Sequence, residues 1–181
     1  MTPAAASDAL RLLDFYRASE LHGGLLLGRL AQQVRDPELI LRLTRHAAEE
    51  VLHAQLWAET IVAVGGSPRR TTDSYQRRYA EVLAPPGSVL DVLVLTQVFE
   101  RTVYRHFLAH RRRPGTHPAI VATLTRMLED EKDHLTWVKH WLDAQPAARR
   151  EHAAQLMAHY AAVDAQVFAC IVRDYAWERA A

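Results

Sequence analysis

The chain has 181 residues, close to half of them apolar, which is enough for one domain with its own core and gives no reason to expect intrinsic disorder. A formal charge of +1 removes any whole-chain electrostatic argument for nucleic-acid or membrane binding. Cys170 is the only cysteine, so an internal disulfide and a cysteine-ligated zinc or iron–sulfur site are excluded.

No secretory signal is apparent between Met1 and Ala9, and the longest apolar stretch, Val89 to Val98, is interrupted by Asp91 and too short to span a bilayer. A soluble cytoplasmic protein is expected. Strand-like alternation is absent, and Gly and Pro stand at the joints of a helical pattern. A first helix is expected from Ser7, a good N-cap, to about Arg35. Asp36-Pro37-Glu38 then supplies a cap, a proline at the first helical position and an acid in the first turn of a second helix, which Gly65-Gly66 ends. Ser88 to Asp91 resembles a capping box and opens a third helix, ending at Arg111-Arg112-Arg113 before Pro114-Gly115. Pro118 begins a fourth, to about Ala144, and a fifth runs from about Ala147 to Glu178.

Tight turns make helices one and two an antiparallel pair, and likewise three and four. The connection between the pairs, Ser67 to Gly87, is long enough to run the length of a bundle, and its Arg69, Arg70, Arg77 and Arg78 read as a solvated surface. The expectation is therefore all-α: a four-helix bundle over residues 7–144, two antiparallel hairpins joined by a long crossover, with a C-terminal helix at 147–178. Leu156, Tyr160, Val163, Val167, Cys170 and Val172 recur at helical spacing on that last helix, which either covers the bundle or pairs with a second subunit; covering is the plainer reading of an apolar stripe.

Two segments carry Glu-x-x-His, Glu50 to His53 and Glu131 to His134, and residues three apart share a helix face. One such match is weak. Depth strengthens it: with the first turn centred on residue 35, Glu20 and Glu50 each lie fifteen residues away and come level when the helices pack antiparallel. Glu100 and Glu131 are likewise equidistant from the second turn, so 20, 50 and 53 repeat as 100, 131 and 134. Four carboxylates at one depth in an apolar interior repel strongly, and two divalent cations would neutralise them. The pattern therefore points to a dinuclear metal site.

Glu20, Glu50-x-x-His53, Glu100 and Glu131-x-x-His134 together resemble the ferritin-like di-iron carboxylate superfamily, with rubrerythrin-like and bacterioferritin-like members most similar. The resemblance implies that Glu50 and Glu131 bridge two metals, that Glu20 and Glu100 are terminal ligands, and that His53 and His134 each bind one ion. It implies two iron ions, with manganese or a mixed Mn/Fe pair equally compatible with the ligand set. In similar proteins an acid before each bridging Glu serves the histidine of the opposite helix, so Glu49 is paired with His134 and Asp130 with His53.

The chain also departs from those relatives. Gln97 stands where rubrerythrins carry a further Glu, and a cysteine-rich electron-transfer module is absent. Val51 replaces a haem-binding Met, so no haem is expected. Gly23-Gly24 either leaves room for oxygen or substrate or permits close helix packing. Tyr104 either serves the metals or is a hydrogen-bonded core tyrosine. Trp57 and Trp137 read as bundle core, and His46, His106 and His110 as ordinary histidines.

The leading reading is a non-haem di-iron oxidoreductase, its Glu20, Glu50, Glu100 and Glu131 catalytic, that activates or reduces O2 or peroxide with electrons from an external donor. Ferrous oxidation and storage, or an oxygenase acting on an organic or tRNA substrate, are the alternatives. A homodimer is left open; no membrane is expected, and no nucleic acid other than a tRNA substrate.

Overall fold

The computed structural model describes residues 3–175, which form six helices and no strand among the described residues: α1 (Pro3–Ala31), α2 (Pro37–Ala63), α3 (Tyr75–Ala80), α4 (Val89–Arg112), α5 (Pro118–Asp143) and α6 (Ala147–Asp174). This all-α bundle is broadly consistent with a four- or five-helix ferritin-like arrangement. Residues 176–178 of the expected last helix lie outside the described residues.

Local chemistry accounts for the joints. Asp36 Oδ1 accepts from the backbone N–H of Glu38 and Leu39, at 2.9 and 3.3 Å, with Pro37 where its missing N–H costs nothing. Ser88 accepts from Asp91 N–H while the Asp91 carboxylate accepts from Gly87 N–H, a variant of the reciprocal cap with the return bond one residue early. The first helix differs from expectation at both ends. It begins at Pro3, so Ser7 lies inside it, and it stops at Ala31 because residues 32–36 form the turn into α2.

α1 packs along α2, α4 along α5, and α2 faces α5, whereas α1 and α4 meet mainly through side chains. Gly24 permits the first pairing: a Cβ there would lie 2.9 Å from the Ala47 carbonyl oxygen of α2. Two apolar clusters fill the interior, one around Phe15, Trp57, Ile61, Phe107 and Leu124 and the other around Leu27, Leu43, Leu93 and Val138. Between them along the chain fall Glu20, Glu50, Glu100 and Glu131. Those carboxylates are therefore flanked by dry core on both sides, where charge interacts strongly.

The crossover contains the short α3, capped by Ser74 and held by a buried Tyr75 and Tyr79. Arg78 corrects the expectation of a solvated arginine surface. It is ion-paired with Asp73 at 2.6 Å and with Asp174 of α6 at 2.9 Å, tying the crossover to the last helix. Arg69, Arg70 and Arg77 are exposed. α6 packs on α4 through Tyr160, Val167 and Ile171, and its buried Asp164 accepts from the Tyr79 and Thr102 hydroxyls. By length and composition α6 is also the one described helix apolar enough to cross a membrane.

Candidate metal centre

Glu20 from α1, Glu50 and His53 from α2, Glu100 from α4, and Glu131 and His134 from α5 are all at most 6% exposed. Their ligand-type atoms fall into two groups, each within a 4.8 Å span: Glu20, Glu50, His53 and Glu131, and Glu50, Glu100, His134 and His46. Glu50 belongs to both groups. Glu131 also stands between them, one carboxylate oxygen 3.6 Å from His53 Nδ1 and the other 3.5 Å from His134 Nδ1. The geometry is that of two adjoining cation positions that have Glu50 in common and Glu131 between their histidines.

Each of the paired histidines is oriented from behind. His53 Nε2 is 3.1 Å from Asp130, and His134 Nε2 is 3.0 Å from Glu49, both across the α2–α5 interface. If each Nε2–H donates outward, each Nδ1 turns its lone pair inward, the tautomer a metal ligand needs. The inward atoms are otherwise unsatisfied: His53 Nδ1, His134 Nδ1 and Glu131 Oε2 are buried without a hydrogen-bond partner. Buried polar atoms are normally paired, so several orphans converging on one point fit a pair of cations there. Asp130→Asn and Glu49→Gln should each weaken metal binding by about 10–100-fold without unfolding the protein, measurable by anaerobic Fe(II) or Co(II) titration.

Protonation tells the same story. Burial, and then the Glu20 charge, raise Glu50 to about 7; burial and the Glu100 charge do the same for Glu131. Glu20 and Glu100 are raised, chiefly by burial. Burial opposes charging His53, yet Glu20 first, then Glu131 and Glu50, hold it at about 10. Glu131 and Glu100 likewise hold His134 at about 11 against its burial. Without a metal, the site recruits protons to balance its acids.

Several residues read as incidental in the sequence are placed differently here. His46 is 1% exposed and belongs to the second ligand group rather than being an ordinary histidine. Its signal was its own spacing: 46, 50 and 53 share one helical face. His106 and His110 are buried in a hydrogen-bonded cluster in which Tyr16 Oη meets His106 Nε2 at 3.0 Å and His110 Nδ1 at 3.1 Å, and Tyr75 Oη meets His106 Nδ1 at 3.2 Å. Tyr104 is half-buried against the aromatic cluster, and no hydrogen bond joins it to the six residues among those described. Gln97 is buried with its Oε1 unpartnered, and Val51 is 45% exposed. Trp57 is fully buried core, whereas Trp137 lines a surface cleft and meets the His46 ring edge-on.

Two recesses reach the centre from different sides. Between α1 and α4, under α3, an apolar cavity of about 290 Å³ ends on Glu50 and Glu100, with Leu27, Tyr79, Leu95 and Phe99 among its walls. Gly23 keeps its floor clear, since a Cβ there would come within 2.6 Å of Glu50 Oε2. On the α2–α5 side a cleft of about 440 Å³ is lined by Arg45 and Glu49 and has the buried His46 and His134 at its base.

No family profile matches the chain, and no solved structure does. A 3-demethoxyubiquinol 3-hydroxylase from Paracidovorax citrulli (strain AAC00-1) is similar, 29% identical over 137 residues that cover 74% of this chain and 67% of that protein. The similarity and the two buried His/Glu clusters are together consistent with a ferritin-like di-iron fold holding a dinuclear metal site, without singling out a subfamily.

Proposed function

We propose that this protein is a non-haem di-iron oxygenase that hydroxylates an apolar organic molecule. The observation that carries the reading is the apolar cavity ending on the Glu50 and Glu100 carboxylates. Ferrous oxidation or peroxide reduction needs only Fe(II), O2 or H2O2, none of which requires an apolar recess of this size; ligand sites of organic molecules are mostly apolar with a few placed polar groups. The similarity to a protein named as a 3-demethoxyubiquinol 3-hydroxylase supports the same class of reaction.

Glu20 and His53 would hold one ion, Glu100 and His134 the other, with Glu50 and Glu131 shared. Once bound, two ferrous ions would supply electrons and Lewis acidity for reducing O2. Overall, one oxygen atom would enter a C–H bond of the substrate and the other leave as water, using two electrons and two protons from an external donor. The chain's contribution is positioning and dryness. Leu27, Leu95 and Phe99 hold the apolar body against the two acids and keep bulk water away. Gln76 Oε1, buried without a partner in the same wall, can accept from a hydroxyl on the substrate's polar end. Tyr75 is bonded to His106 and serves as wall.

The test uses a short-chain demethoxyubiquinol as probe with Fe(II)-loaded protein, a reductant and ¹⁸O2. Product carrying one ¹⁸O supports the reading, and Leu95→Trp, which fills the cavity, should cut its yield about tenfold or more while two irons stay bound. Iron accumulating far beyond two per chain, with quinol recovered unchanged, would overturn it in favour of iron handling.

A further inference from the structure

We infer that His46 is a third imidazole ligand, so that the two metal positions are chemically unlike: one holds His134, Glu100 and His46, the other only His53 and Glu20 beside the shared acids. The inference deepens the reading of a dinuclear site and rests on it.

His46 Nε2 lies 3.3 Å from both Glu50 Oε1 and Glu100 Oε1, yet it is in hydrogen-bonding geometry with neither. A histidine retained only to satisfy those acids would point at one of them. This one points between them, to where a cation shared with His134 would lie, and its Nε2, Glu50, Glu100 and His134 fall within 4.8 Å of one another. Its ring is stacked on the His134 ring at 3.6 Å between centroids and 29° between planes, so the two imidazoles enter the same part of the centre side by side. As an apolar filler His46 would be a poor choice, since both ring nitrogens are buried without a hydrogen-bond partner and Nε2 lies beside two carboxylates. Coordination would satisfy one of them.

The other half of the molecule has no equivalent. Residues 50 and 53 recur 81 positions later as 131 and 134, and the same step takes His46 to Met127, which is fully buried in the aromatic cluster. The third nitrogen therefore belongs to one position alone, and neutral imidazole adds affinity there without adding negative charge. Unlike His53 and His134, His46 has no carboxylate bonded to its second nitrogen among the described residues, which makes it the more readily displaced of the three.

The experiment compares wild type, His46→Gln and His46→Gly by anaerobic Fe(II) binding isotherms and by ⁵⁷Fe Mössbauer spectra of protein loaded with two Fe(II). Wild type should bind in two resolved steps and show two ferrous doublets of equal area. In both variants one doublet should shift while the other stays, and the tighter step should weaken about tenfold or more, as loss of a supporting ligand commonly costs. Added imidazole can reach the gap through the cleft between α2 and α5, and it should restore the original doublet in His46→Gly. A structural role would not respond in this way. Two unchanged doublets and an unchanged isotherm in folded variants would overturn the inference and leave the dinuclear reading standing. Wild type binding no iron would overturn both.

Discussion

Glu50→Ala should take the protein from two bound metal ions per chain to none, whereas Glu20→Ala should remove or weaken one. Glu50 is the residue common to both ligand groups, so its loss takes an oxygen from each position at once. Its removal also has an opposite effect on the metal-free protein. Glu50 is buried with Glu20 and Glu131 nearby, and burial together with their charge raises its tendency to stay protonated, the sign of repulsion held in by the fold. Deleting one of four such acids relieves that repulsion, so metal-free Glu50→Ala should melt at or above the metal-free wild type. Added Fe(II) should raise the wild-type melting temperature through preferential binding to the folded state and leave the variant unmoved. Anaerobic metal analysis beside melting curves separates a lost site from a lost fold. A Glu50→Ala protein that kept two irons would end the dinuclear assignment.

How much of this centre could be read in the sequence depended on whether the information was one-dimensional. Equal distance from a tight turn is such a property, and it brings Glu20 level with Glu50 and Glu100 level with Glu131 from the sequence alone. The acid before each Glu-x-x-His was legible through the resemblance, in which that position serves the histidine of the opposite helix. His46 was missed because a search for a pattern repeated in both halves discards a residue whose counterpart is Met127. Tyr104 drew attention by being one turn from Glu100, but the tyrosines bonded to the buried His106 are Tyr16 and Tyr75, the latter carried in by the crossover. That crossover was read only as a span to be covered. Its six-residue α3 is too short for periodicity to reveal, and Arg78 looked like any exposed arginine until Asp73 and Asp174 closed on it. The cavity was the least legible feature, because it needs α3 folded over a gap between α1 and α4 and a missing side chain at Gly23, none of which is local in sequence.

The protons that stand in for metal should make the metal-free protein lose stability as pH rises from 7 to 9. His53 and His134 are held at about 10 and about 11, above the ordinary value of 6.5. A histidine with a raised folded value contributes stability that is complete below 6.5 and is lost as pH rises toward that folded value. In the window from 7 to 9 the unfolded chain has released both protons while the folded site still holds them. Glu50 and Glu131, raised from 4.5 to about 7, have the same sign, and most of their cost has accrued by neutral pH. One proton corresponds to about 1.4 kcal/mol per pH unit, so even a partly realised effect from two histidines should lower the melting temperature by about 5 °C or more across the window. Acid acts through other residues: His106 and His110, held down to about 3 and about 4 by burial, cost stability as pH falls below 6.5 because only the unfolded chain charges them. Metal reverses the alkaline slope. Binding must expel the protons on both paired histidines and those on the shared acids, so affinity should rise with pH and calorimetry in buffers of different ionisation enthalpy should register about two to four protons released per pair of metals at pH 7. A metal-free melting temperature that stayed flat from pH 7 to 9, with no proton release on loading, would mean that the four acids and two histidines do not share the charge balance their geometry requires.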